Sequence, residues 1–161
     1  MFDFLFKLND LYIYTIQTLS KISLTKLIFL TVIIEFTLSL IFAFLLFPNH
    51  SAGPQFETKL EEFFLVVIIA PFIETLIFQY TIISFFLNKW PRAVLFTIVF
   101  SAIIFGLSHF YSQVYILKTF ISGLLFGTLY IVVNAKNSSP IIAVTLAHSI
   151  YNFIGFCLRQ L

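Results

Sequence analysis

Five residues carry chemistry that their surroundings make conspicuous: Glu35, Glu74, His109, His148 and Asn152. Each lies in or at the end of an apolar run, where an ionised carboxylate costs about 2.5–3.5 kcal/mol even on the mildest insertion scale. Such side chains turn towards protein, and their number here exceeds what isolated helix-bridging hydrogen bonds need. His148 and Asn152 stand four apart in Ala147-His148-Ser149-Ile150-Tyr151-Asn152, so they share one helix face a turn apart as a two-donor surface. Phe105 and His109 repeat that spacing, with the phenyl ring placed to shield the imidazole from lipid and Gly106 between them permitting close helix approach. Glu74 follows Pro71 by three residues. The proline ring is expected to deny the Val67 carbonyl its helical partner, and the kink makes room for water and a substrate backbone beside the carboxylate.

One carboxylate, two imidazoles and one amide suit hydrolysis in a water-poor site. Glu74 with one histidine can hold and deprotonate a water. The other histidine and Asn152 can donate to the oxyanion that forms when water attacks a peptide carbonyl. Zinc is the competing chemistry, since two histidines and a glutamate form a familiar ligand set, although no HExxH occurs and the three residues fall on separate spans. No cofactor is expected on the first reading.

The elements that must position these groups follow from composition. Of 161 residues 60% are hydrophobic and only 10% charged, with 23 phenylalanines, which leaves too little polar surface to cover a water-soluble domain. The chain must be solvated by membrane lipid. Its net charge of +2 forms no phosphate-tracking stripe, which excludes a nucleic-acid partner, and the single Cys157 excludes an internal disulfide. Apolar runs near 26–47, 62–87, 91–110, 113–134 and 139–158 predict an all-α, polytopic transmembrane bundle of about five spans. Residues 1–25 read as an N-terminal interfacial segment, too polar to span and too apolar for water; a signal peptide is not expected. Residues 26–61 supply the first span and a polar loop, and 62–161 the core. Six of the nine basic residues fall on the N-terminal side of the bundle, which orients the N-terminus to the cytoplasm.

Three segments in order resemble the motifs of the CPBP intramembrane proteases, named for CAAX proteases and bacteriocin-processing enzymes and also called the Abi family. Pro71 to Gln79 is similar to the first motif, EExxxR after a proline; Phe105 to His109 matches FxxxH; His148 to Asn152 matches HxxxN. Between the last two, Ser122 to Gly127 resembles a small-residue helix of that family, with spacing that suits close packing. The resemblance covers about residues 62–158. It implies a prokaryotic cell membrane protein in which Glu74 and His109 activate water while His148 and Asn152 form the oxyanion site, with a membrane-associated peptide or protein as substrate. Two positions depart: Thr75 stands for the second glutamate and Gln79 for the arginine. The exchange reads as an ion pair turned into a hydrogen-bonding neutral pair, with weakened activity as one outcome.

The resemblance also leaves open a non-catalytic relative that binds a peptide or confers bacteriocin self-immunity. A transporter or proton relay is disfavoured by the short chain without an inverted repeat. Glu35, between Thr31 and Ser39, reads as a structural bridge to another helix. His50 reads as solvated; Tyr80, Trp90, Tyr111 and Tyr115 read as interface anchors; Cys157 reads as a packed thiol. Substrate identity and oligomeric state have no signature in these residues.

Overall fold

Backbone polar groups surrounded by lipid must find partners inside the protein, so apolar runs of this length fold as helices. A computed structural model describes residues 2–48 and 53–160, leaving His50 outside the described residues. The chain is 83% helical, with no strand among the described residues. Six helices follow in order among them: α1 (Phe2–Leu19), α2 (Leu24–Leu46), α3 (Lys59–Lys89), α4 (Val94–Ser108), α5 (Gln113–Ala135) and α6 (Pro140–Arg159). Four of these, α2, α3, α5 and α6, are long and apolar enough to cross a membrane. The fifth apolar helix, α4, has only 15 residues, about 22 Å at 1.5 Å per residue.

That shortness decides where the catalytic candidates lie. α3 and α4 form a hairpin through Trp90–Ala93, and Glu74 is 15 residues before the end of α3 while His109 caps the far end of α4. Both side chains therefore reach the same level, roughly 22 Å along their helices. Pairing of α4 with α5 holds that level. A Cβ on Gly123 would stand 2.9 Å from the Ala102 Cα, and one on Gly106 would stand 3.0 Å from the Ile116 carbonyl oxygen, so hydrogens at these positions let the backbones touch.

α1 is docked to the bundle through specific polar contacts. The Asn9 side chain donates to the Arg92 carbonyl at 2.8 Å and accepts from Leu95 N at 3.1 Å, capping α4 from outside the helix. Tyr12 hydrogen-bonds Thr128, Lys136 Nζ donates to the Ser20 carbonyl, and Ile16 is buried. At the opposite end of the bundle Arg159 pairs with Glu62, tying the end of α6 to the start of α3. Cys157 is exposed on α6 and not packed, because the last turns of that helix lie at the edge of the bundle.

Candidate active site

α3 runs continuously for 31 residues, but its winding changes four times. Phe63–Ile69 and Thr75–Ile82 are π-helical, and the single α-turn Ala70–Glu74 between them carries both Pro71 and Glu74. π-Wound segments are frequent at functional sites, where the wider register re-aims side chains. Here the turn presents the Glu74 carboxylate to α4 and α6. Its Oε1 lies 3.6 Å from His109 Nε2, and its Oε2 lies 3.8 Å from His148 Nε2. Both separations exceed a direct hydrogen bond and suit a shared water.

Each imidazole is fixed from behind. His109 Nδ1 lies 2.8 Å from the Phe105 carbonyl oxygen, which can only accept, so the Nδ1–H donates there and Nε2 faces Glu74. The tautomer follows from that contact. Phe105 is buried and sets its ring edge-on to the His109 ring at 4.7 Å, the shielding expected from the FxxxH spacing. His148 is buried and stacked on Phe126 at 4.6 Å.

Glu74, His109, His148 and Asn152 all line one cavity of about 1050 Å³, bounded by α3, the end of α4, α5, α6 and the segment before α3. The four candidates from three motifs are thus brought together. Asn152 is already engaged: its Nδ2 donates to the Val66 carbonyl at 2.8 Å. The proline acts one carbonyl earlier than expected. In the π register Ala70 N–H bonds to Leu65 O, and Pro71 has no N–H to offer the next carbonyl, so that of Val66 is left without a backbone donor.

Glu35 stands apart from the constellation and bridges helices as expected, accepting from Ser122 Oγ of α5 at 2.8 Å. Tyr115 is not an interface anchor. It lines the cavity and stacks on His109 with ring centroids 6.0 Å apart, because the first turn of α5 folds back over the end of α4. Tyr80, Trp90 and Tyr111 are exposed. Phe126 is a site residue that sequence reasoning misses; its only signal is the position one turn after Ser122 on the small-residue helix. The neutral pair is not formed either. Thr75 and Gln79 are fully buried, yet Thr75 Oγ1 and Gln79 Nε2 have no hydrogen-bond partner. Among the described residues no group of three His, Cys, Asp or Glu side chains is arranged as a metal site.

The model of the type II CAAX prenyl endopeptidase Rce1-like family matches residues 56–154. The chain belongs to this family. The Rce1-like family is a family of proteases within the CPBP group, and the apolar helices make this member an integral membrane protein. The matched region begins just before α3 and ends two residues after Asn152, so all four converging residues fall within the Rce1-like part of the chain. No curated protein and no solved structure matches the chain.

Proposed function

We propose that this protein is an intramembrane endopeptidase that hydrolyses a peptide bond of a membrane-associated protein or peptide. The observation that carries the reading is a carboxylate flanked by two imidazoles within a cavity of about 1050 Å³, in a chain of a protease family. A water between Glu74 and His109 loses a proton to this pair as its oxygen bonds to the peptide carbonyl carbon. His148 donates to the developing oxyanion, helped by the Asn152 amide hydrogen that does not point at Val66. Collapse of the intermediate breaks the C–N bond, and the proton held by the Glu74–His109 pair passes to the leaving amine. The aromatic wall of Phe105, Tyr115 and Phe126 limits bulk water around these steps. No cofactor enters this scheme, and the charge asymmetry supports a cytoplasmic N-terminus.

The test is cleavage of a library of membrane-anchored peptides by the purified protein in liposomes. Glu74→Gln is expected to abolish cleavage, whereas Asn152→Ala leaves activity about 10²–10³ below the parent protein. Chelator leaves the rate unchanged; loss on chelation with recovery on adding zinc would replace this mechanism by metal hydrolysis. A second reading, peptide binding without cleavage as in a self-immunity protein, is favoured by the unpartnered Thr75 and Gln79 where the motif has Glu and Arg. It gains if the parent protein retains such peptides and cuts none.

A further inference from the structure

We propose that Asn152 is a positioning residue whose amide stands in for the backbone donor that Pro71 lacks, and so fixes the register of α3 that places Glu74 between His109 and His148. The inference rests on the hydrolytic reading for its significance, while its test needs no turnover.

Proline at position 71 leaves one carbonyl without a donor whichever way the helix is wound. In α winding that carbonyl belongs to Val67; in π winding it belongs to Val66. The pairing of Ala70 N–H with Leu65 O shows that α3 takes the π register immediately before the proline. An unpaired carbonyl within an apolar span is costly, and although Val66 borders the cavity, a donor fixed on a neighbouring helix holds its carbonyl in one orientation as a mobile water does not. Asn152 reaches across from α6 and donates to Val66 O at 2.8 Å, which satisfies the π register. No hydrogen bond from Asn152 to Val67 is found. The amide therefore discriminates between the two windings.

The winding matters for the residues downstream of Pro71. Changing from five-residue to four-residue pairing moves the downstream helix by one residue, a rotation of about 100° about its axis. Glu74 lies on the next turn and would swing away from the imidazoles. α6 carries both His148 and Asn152 one turn apart, so the helix that supplies one imidazole also fixes the carboxylate that faces it. Conservative-looking changes at position 152 would thus act on the site through α3 as well as through any contact with substrate.

Histidine signals read this directly. The chain has three histidines, so selective ¹⁵N-imidazole labelling of the purified protein in micelles gives three sets of signals, with His50 assigned by His50→Gln. His109 is the reporter, because it lies at the end of α4 and bonds to neither Asn152 nor Val66. Asn152→Ala is expected to shift the His109 imidazole signals. Adding Pro71→Ala, which restores an N–H able to reach Val66 O, is expected to return them towards the parent positions. An unchanged His109 in Asn152→Ala, or a shift that Pro71→Ala does not reverse, overturns the proposal. If Asn152→Ala yields no folded protein, recovery of folded protein in the double variant supports it and continued failure overturns it. Absence of cleavage in the liposome assay leaves this result standing, and an unmoved His109 leaves Glu74-dependent cleavage standing with Asn152 acting on substrate alone.

Discussion

The α4–α5 pair and α3 solve the same problem, crossing an apolar layer, in opposite ways. Along α4 and α5 glycines bring the backbones into contact, and some side-chain hydroxyls bond within their own helix, as Thr97 does to Ala93 and Thr119 to Tyr115. α3 alternates between π and α winding, carries a proline in its middle, and leaves buried Thr75 and Gln79 with unpartnered atoms. Two of its carbonyls are served from other helices, Val66 by Asn152 and Phe78 by Ser101 Oγ at 2.9 Å. The difference teaches where catalysis can be housed: the tight pair fixes depth and orientation of His109, while the irregular helix offers the spare backbone and side-chain polarity from which a site is made.

The sharpest way to break this comparison is to charge the irregular helix. Thr75→Glu or Gln79→Arg alone buries one unpaired charge and is expected to destabilise by about 3–5 kcal/mol, read as lost folded yield in detergent. The double variant is expected to recover much of that yield, because the two positions are one turn apart. Equal yields of singles and double would show that α3 does not present them to each other. A smaller effect tests the tight pair: Gly123→Ala should cost about 1–3 kcal/mol through overpacking against Ala102, measured by thermal melting. Asn9→Ala removes the cap that α1 places on α4 and should cost about 1 kcal/mol in the same measurement. Smallest of all is Gly155→Ala on α6, where nothing lies within 4 Å of the added carbon, so melting should rise by the equivalent of about 0.5 kcal/mol through the gain in helix propensity.

The sequence makes legible whatever periodicity records. The helix hairpins, the shared face of His148 and Asn152, the shielding of His109 by Phe105 and the close approach at Gly106 and Gly123 all follow from spacing along an α-helix. The π register leaves no compositional trace, so an α-helical reading puts the orphaned carbonyl at Val67 and gives no hint of the partner that Asn152 finds. Tyr115 is illegible because an aromatic near a span end has the same composition whether it meets headgroups or roofs a cavity. Cys157 is illegible for a related reason: an apolar helix gives no sign of which side faces lipid when both sides are apolar. Thr75 and Gln79 are spaced to bond each other, but spacing fixes a common face and not the direction of donors and acceptors.

The 15 residues of α4 have a consequence for the surrounding bilayer. A helix of about 22 Å falls some 8 Å short of a typical hydrocarbon layer of about 30 Å. A helix too short for the layer is met by local thinning of the membrane or by snorkelling of its flanking residues, at a fraction of a kcal/mol per Å. Phe110, 80% exposed just beyond its end, offers an apolar surface to lipid at that level. Thinning to match α4 would fall beside the cavity, so acyl-chain length is expected to be a variable that acts on this protein.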